Sequence, residues 1–446
     1  MKRYAEYKDS GIEWIGEIPK DWERTKLKHI GTVKGRIGFK GYAVTDLVDE
    51  YVQGRAIVLG GTNIMKDGTV SYNKLTYLSE YKYLESPEIM LYGGEILITK
   101  VGAGTGESAL YDYYDERMTI NPNVMIFVPL KRVNSRFINY YLLSVYVKCD
   151  ISIESNKSGA QPAINQEFIK NIKIVLPSFE KQVTIASYLD HKTTAIDAIV
   201  DDKQKLIALL KEKRQTIISE AVTKGLDKNA KMKDSGIEWI GEIPEEWEIK
   251  RLKFIAKKPL MYGTNESAES DNINFPRYIR ITDIDEAGSL KSDTFKSLPP
   301  DKASLYLLEK NDILFARSGA SVGKTYIHKD DLVACFAGYL IKLSVDNEIA
   351  DSRFVYYNTF TDRYFNWIKE NTIQATIQNV SAEKYNNYEI AIPSLDVQQI
   401  IINYLDEKNV AVNSLIADIQ TQIEKLKEYR QSIISEAVTG KVMIEC

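Results

Sequence analysis

Two glycine-rich turns carry the residues of this sequence best placed to do chemistry. Arg317-Ser318-Gly319-Ala320-Ser321-Val322-Gly323-Lys324-Thr325 follows the apolar run Asp312–Ala316 and looks like a loop that cradles phosphates on backbone N–H groups and a lysine. The spacing fails at position 318, where the motif requires Gly and the chain has Ser. In the matching turn, Lys100-Val101-Gly102-Ala103-Gly104-Thr105-Gly106, an acid, Glu107, stands where the phosphate lysine would be. Nucleotide hydrolysis is therefore not expected, and the turns are expected to present Arg317, Lys324 and Lys100 to a partner. Neither the scattered Cys149, Cys335 and Cys446 nor the isolated His29, His191 and His328 have the spacing of a metal site or a disulfide framework.

A second mimic is Asn121-Pro122-Asn123-Val124, a partial echo of the Asn-Pro-Pro-aromatic loop of amino-methyltransferases. The second proline and the aromatic that stacks a flipped base are missing, and no glycine-rich cofactor loop precedes it, so methyl transfer by this chain is not expected. Binding is better supported. Arg24, Lys26, Lys28, Lys34, Arg36 and Lys40 fall between positions 24 and 40 without an acid, and Lys250, Arg251, Lys253, Lys257 and Lys258 hold the corresponding place later. Such runs are commonly solvated faces, but their recurrence points to a phosphate-contacting edge. Gln161-Pro162-Ala163-Ile164-Asn165 and Gln374-Ala375-Thr376-Ile377-Gln378-Asn379-Val380 supply amides that could read adenine edges or simply cap turns. Tyrosines, 28 in all and including Tyr111, Tyr113, Tyr114, Tyr356 and Tyr357, suit cores and interfaces equally.

The chain of 446 residues, 44% hydrophobic and 27% charged, has the composition of a globular protein with two or more cores. No apolar run reaches the ~20 residues of a membrane helix and the N-terminus lacks an apolar signal core, so a cytoplasmic location and no membrane contact are expected. A net charge of −4 argues against a uniformly basic chain but leaves room for a local basic face.

The elements that position these residues come in two copies. KDSGIEWIGEIP occurs at Lys8–Pro19 and again, unchanged, at Lys233–Pro244, an offset of 225 residues (233 − 8). RQTIISEAVT at Arg214–Thr223 recurs with one change at Arg430–Thr439, an offset of 216 (430 − 214). The difference lies in regions, Lys20–Lys157 and Glu245–Gln374, that barely match in sequence yet share strand-then-turn patterns. Fixed flanks around divergent inserts mark a tandem duplication that holds two different surfaces in one geometry. Thr62-Asn63-Ile64 answers Thr282-Asp283-Ile284, so the inserts are expected to be one mixed strand-and-helix fold.

Each half ends in a Pro-Ser joint, Pro177-Ser178 and Pro393-Ser394, where the Ser and the following acid predict a helix start. The helices follow a heptad. Leu189, Ile196, Lys203, Leu210 and Ile217 fall seven apart, interleaved in this reading with Ile185, Lys192, Ile199, Leu206 and Lys213. The second set is Leu405, Val412, Ile419, Leu426 and Ile433, interleaved with Ile401, Lys408, Leu415, Gln422 and Tyr429. Such seams want another helix, and an approximate dyad between the copies would make the partners antiparallel. Packing of each seam on its own domain is the alternative. Lys203 and Gln422, which break the symmetry, are expected to help fix the register. At ~1.5 Å per residue, Tyr188–Val222 would make a spacer of about 50 Å. Equivalence of the halves further requires Met1 and Cys446 to lie close together. The expected organisation is a first α/β (mixed α+β) domain to residue 175, a spacer helix over 176–227, a second domain over 228–391 and a second helix over 392–446, in a pseudo-twofold circular arrangement.

These features together resemble the specificity subunits of type I restriction-modification systems. The resemblance covers essentially the whole length. It rests on the repeated openings at Lys8 and Lys233, the Pro-Ser joints with Gln182, Gln398 and Gln399, the Leu-Asp pairs Leu189-Asp190 and Leu405-Asp406, and the Ile-Ser-Glu-Ala-Val-Thr helix ends. It implies two target-recognition domains, each reading half of a bipartite asymmetric site in double-stranded DNA, with the helices setting the spacer. It also implies two methyltransferase subunits docking on the helices and restriction/motor subunits beyond them. S-adenosylmethionine, ATP and magnesium would then belong to those partners, and this chain would not be an enzyme. A tandem coiled-coil scaffold that binds no DNA is the other reading these elements allow.

Overall fold

The computed structural model describes residues 2–36, 41–112, 116–159, 161–238, 240–285, 287–329, 332–372 and 379–445. Lys40, Tyr113, Tyr114 and Gln374–Gln378 of the sequence reading, with Met1, Trp239 and Cys446, lie outside these. Two compact units are present, one formed by Met1–Lys203 with Thr421–Cys446 and the other by Gln204–Gln420.

In the first unit a buried strand, Glu95–Thr99, sits between Ser108–Tyr111 and Val124–Pro129 in an antiparallel sheet edged by Gly31–Lys34. All five residues of Glu95–Thr99 are buried, as expected of a central strand covered on both faces. A five-stranded sheet packs alongside, in which Ala56–Leu59 pairs in parallel with Met118–Ile120. The second unit repeats the plan. Ile313–Ala316 lies between Thr325–Ile327 and Leu340–Leu343, edged by Met261–Tyr262, and Arg277–Ile279 pairs in parallel with Ala334–Phe336. The inserts are one fold. Among the described residues the second sheet has two regular strands there, and its flanks are carried by isolated bridges, Arg277 and Ser270 with Ser297 and Leu307 with Cys335.

The phosphate-loop mimic is a hairpin. Ile313–Phe315 pairs antiparallel with Thr325–Ile327, so Lys324-Thr325 opens a strand rather than the helix whose N-terminus would hold phosphate. In the first copy Glu107 forms an ion pair at 2.5 Å with Lys148 of the helix Val145–Ser155. Burial nevertheless keeps the Lys148 ammonium below its usual pKa.

The joints are long helices, Phe179–Lys224 and Leu395–Val438. Gln182 and Gln398, both buried, close their starts: each donates Nε2 to the proline carbonyl of its joint, at 2.8 and 2.9 Å. Their Oε1 atoms accept the backbone N–H of Asn134 and Asp351, the N-caps of the helices Ser135–Leu143 and Ser352–Asn358. The Leu-Asp pairs are explained in the same way. Leu189 and Leu405 are fully buried. Asp190 accepts from Tyr140 Oη at 2.8 Å and Arg136 Nη1 at 2.9 Å, while Asp406 accepts from Tyr357 Oη and, at 3.5 Å, Arg353 Nη1.

Within each unit the helix segments run antiparallel. In the first, Arg430 Nε meets Asp197 Oδ1 at 2.9 Å and Lys203 Nζ meets Gln422 Oε1 at 2.6 Å, so rising numbers on one helix meet falling numbers on the other. In the second, Arg214 Nη1 donates to Asn413 Oδ1 at 2.8 Å, and Ile218, Ala221 and Val222 pack with Ile401, Ile402 and Leu405. Arg214 and Arg430 are equivalent by the 216 offset, as are Asn413 and Asp197, so one contact is made twice. Lys203 and Gln422, the residues without symmetric counterparts, meet each other.

Half of the heptad reading needs correction. Leu189, Ile196, Leu405 and Ile433 are buried and Leu210, Ile217, Val412 and Leu426 half-buried, as seam positions should be. The interleaved positions, however, are Thr193, Val200, Ile207, Arg214 and Ala221 with Asn409, Ile416, Ile423, Arg430 and Ala437, four residues on from each leucine position rather than three. Of the positions read as interleaved, Ile185 and Ile401 are buried, but Ile199, Leu206, Leu415 and Tyr429 are 44–49% exposed. Polar members concealed the true stripe: Thr193 is satisfied by the Leu189 carbonyl at 2.8 Å and by Tyr140 Oη, and the two arginines by the bonds above.

The repeated opening makes the joint at the far helix ends. It forms a hairpin, Tyr7–Asp9 with Glu17–Pro19 and Met232–Asp234 with Glu242–Pro244. Buried Trp22 and Trp247 follow it and lie against Gly440 and Gly225, the left-handed glycines just past the helices, where a Cβ would come within 3.3 Å of either indole. Lys2 and Glu445 form an ion pair at 2.8 Å and Met443 N donates to Lys2 O at 2.9 Å, so the described residues next to the two chain ends lie together.

Leu189→Ala is expected to cost about 2–5 kcal/mol and Leu206→Ala under about 0.5 kcal/mol, measured as denaturation midpoints at constant slope. Equal losses would restore the three-residue interleaving.

Candidate nucleic-acid interface

The residue after each central strand is held by the same pair of backbone hydrogen bonds in both units. Lys100 N donates to Asn123 O at 2.8 Å and Lys100 O accepts from Ile164 N at 2.9 Å. Arg317 N donates to Tyr339 O at 3.0 Å and Arg317 O accepts from Val380 N at 2.9 Å. The next residue bridges to the same segment, Val101 to Ala163 and Ser318 to Asn379. Three turns therefore converge on one basic residue in each unit, and the fold leaves the side chain free to differ. Such a position can change what it presents without a change in fold.

Sheet register extends the comparison. Thr99 pairs with Val124 and Ala316 with Leu340; on the next strand Lys34 faces Ile126 and Met261 faces Lys342. Tyr262 therefore occupies the place of Gly35. The Arg317 guanidinium lies over the Tyr262 ring at 4.6 Å and its Nε donates to Asn379 Oδ1 at 3.2 Å. Lys100 has Gly35 and Ala163 at those places.

The other sequence-predicted residues divide into two groups. Arg36 reaches the Asn121–Asn123 turn, donating Nη2 to Ile120 O at 3.4 Å, and burial holds its guanidinium below its usual pKa. Lys34 is exposed on the strand that leads to it, and Lys324 closes the Arg317 hairpin through its backbone, its carbonyl accepting from Ala316 N at 2.8 Å. The second group is engaged elsewhere. Arg24 donates to the carbonyls of Ser10 and Gly11 at 3.4 Å, while Lys26 and Lys28 converge on Asn171 Oδ1 at 3.2 and 3.0 Å. Lys250 pairs with Glu248 and Arg251 with Glu389, both at 2.9 Å. Lys257 is exposed, its backbone N–H on Ser344 O at 2.8 Å. Of the amide segments, Gln161 is exposed and Asn165 caps the helix Gln166–Asn171, accepting from Phe168 N at 2.8 Å. Asn379, in the second amide segment, meets Arg317, while Tyr262 and Tyr339 were missed, since only strand register and the turns bring them there.

The paired Thr-x-Ile motifs stabilise the neighbouring turn. Asn63 Oδ1 accepts from Gly60 N at 3.0 Å, and Asp283 Oδ2 accepts from Arg280 N at 2.8 Å. A buried aspartate needs a counter-charge where the asparagine does not, and Arg280 supplies it through Nη2 to Oδ1 at 2.7 Å. Among the described residues no His, Cys, Asp and Glu cluster could hold a metal ion, and no helix is long and apolar enough to cross a membrane.

Comparison with known proteins accords with this geometry. The family model for the type I restriction modification DNA specificity domain matches twice, over residues 19–208 and 244–425. A putative type I restriction enzyme MjaX specificity subunit of Methanocaldococcus jannaschii is 24% identical, with 97% of this chain and 96% of that protein covered. The EcoBI specificity subunit of Escherichia coli is 21% identical over 97% of this chain and 89% of its own length. A solved chain from work on complex assembly and conformational transition of the type I R-M system shares the fold, with a TM-score of 0.71, 15% identity and 95% and 99% coverage. The chain belongs to the family of type I restriction-modification specificity subunits, the non-catalytic, DNA-specifying components of these systems, and carries two tandem target-recognition domains.

Asp283→Ala, which strips Arg280 of its buried partner, is expected to cost about 3–5 kcal/mol in urea denaturation. Arg280→Gly with Asp283→Asn, the pair used by the first unit, should cost less, with a coupling of about 0.5–3 kcal/mol.

Proposed function

We propose that each target-recognition domain reads one half of a bipartite, asymmetric site in double-stranded DNA, with the paired helices setting the unspecified spacer between the halves. The observation that carries this is the duplicated three-turn cage. It holds one backbone position twice and fills it once with Lys100 and once with Arg317. Different side chains on equivalent frames give different half-sites. Lys34, Lys100 and Arg36 on the first domain, with Lys257 and Lys324 on the second, supply the positive charge that phosphates require.

Two methyltransferase subunits dock on the helices. Ile199 and Tyr429 in the first unit, and Leu206, Leu209 and Leu415 in the second, support this, since helix residues that leave so much apolar surface in water suit a covering protein. Restriction/motor subunits join that core, and S-adenosylmethionine, ATP and magnesium belong to the partners. A cytoplasmic location, where DNA and partners meet, completes the reading.

Lys100→Glu should weaken DNA binding by the full chain with its methyltransferase about tenfold at 0.1 M salt and lower the slope of log K against log salt by about 1. An unchanged slope would remove Lys100 from the interface. Insertion of one heptad at matched positions in both helices should lengthen the spacer found by mapping methylated bases and leave both half-sites as they were. Altered half-sites would show that the helices do more than space.

A further inference from the structure

Resting on the DNA-reading function just proposed, we infer that Arg317 reads a guanine in the half-site of the second domain, and that Tyr262 and Asn379 are positioning residues that aim it. Three of the differences between the two cages act together. Where the first domain has Gly35, Lys100 and Ala163, the second has Tyr262, Arg317 and Asn379 at the same places in the sheet and turns. Each of the two extra side chains touches the guanidinium. The Tyr262 ring lies under it at 4.6 Å and is itself anchored, its Oη accepting from Ala382 N at 2.9 Å. Asn379 Oδ1 accepts from Nε at 3.2 Å, which fixes rotation about the guanidinium bond.

The edge that carries Nη1 and Nη2 has no hydrogen-bond partner among the described residues, and Arg317 is partly exposed. A stacked guanidinium, locked through Nε, is a planar fork with two parallel N–H groups to offer. Such a fork matches two acceptors side by side on one edge, the O6 and N7 of guanine in the major groove. Adenine presents a donor at the place of O6, and thymine and cytosine lack N7, so each breaks one or both bonds. A phosphate contact would need no such support: Lys100 shows that the same backbone cage carries a point charge with neither ring nor amide beneath it. Arginine with two orienting neighbours is a device for direction, and direction is useful for bases. Tyr339, 60% exposed and joined to Arg317 through its carbonyl, places an aromatic beside the fork, where it can cover a neighbouring thymine methyl or sugar.

The test uses the full chain with its methyltransferase, selecting from a randomised duplex library at fixed salt, followed by binding titrations on the selected site and its single-base variants. Wild type should require a guanine at one position of one half-site, with every other base weakening binding by roughly 5- to 100-fold. Replacement of that guanine by 7-deazaguanine should weaken binding severalfold. In R317K and R317A the preference at that position should fall below about threefold while the rest of the site, including the whole other half, stays selected. Y262L and N379A should erode the same preference with Arg317 intact, and Y262F, which keeps the ring, should retain most of it. The unaltered half-site reports that each variant is folded. Uniform weakening of all sequences by R317A, with a lower salt slope, would make Arg317 a phosphate contact and overturn the inference, as would a half-site preference that survives R317A. A wild-type complex that selects no sequence would overturn the DNA-reading function, and this inference with it.

Discussion

An apolar stripe along a helix of more than forty residues must be covered, and here another helix of the same kind covers it. That pairing is the constraint from which the rest follows. Because the partners are copies of one sequence, antiparallel pairing makes each contact recur, as Arg214 on Asn413 and Arg430 on Asp197. Because each helix starts at a recognition domain and ends at a hairpin joint, the second helix needs a hairpin at its end as much as the first. The chain meets that need with its own opening residues, tied through Lys2 to Met443 and Glu445. The unchanged KDSGIEWIGEIP segments are thus two castings of one joint, with Trp22 and Trp247 seated on the helix-ending glycines.

On this frame the recognition domains separate what folds them from what they present. Lys100 and Arg317 are fixed through backbone N–H and C=O groups, which every non-proline residue has. The central strands are buried along their length and their hairpins are closed by main-chain bonds. Where a buried polar atom does change between the copies, as from Asn63 to Asp283, its surroundings change with it, Gly60 giving way to Arg280.

The duplication, the mixed fold of the inserts, the helix starts, the meeting of the chain ends and one half of each seam were legible in the sequence, because each rests on a local pattern or on comparison of the copies. The other half of the seam was not. Thr193, Arg214, Asn409 and Arg430 fill it with polar groups whose partners lie on other elements, while Ile199, Leu206, Leu415 and Tyr429 offered a greasier and false stripe. Basic runs misled in a related way. Arg251 and Lys26 look like free charges in the chain but meet Glu389 on a paired strand and Asn171 at a helix end, neighbours that sequence spacing does not show. Tyr262 carried no signal at all, since its place beneath Arg317 is set by the register of three strands.

The two units differ in one respect that symmetry hides. Residues 204–420 are continuous in the chain, whereas the other unit joins 1–203 to 421–446. A ribosome therefore completes the second unit first. The helix segment that opens at Phe179 has its partner only when the last 26 residues (421 to 446) emerge, and until then its seam stands uncovered in the company of chaperones and proteases. Loss of residues 421–446 would thus leave residues 179–203 without their partner helix while the unit 204–420 stays whole.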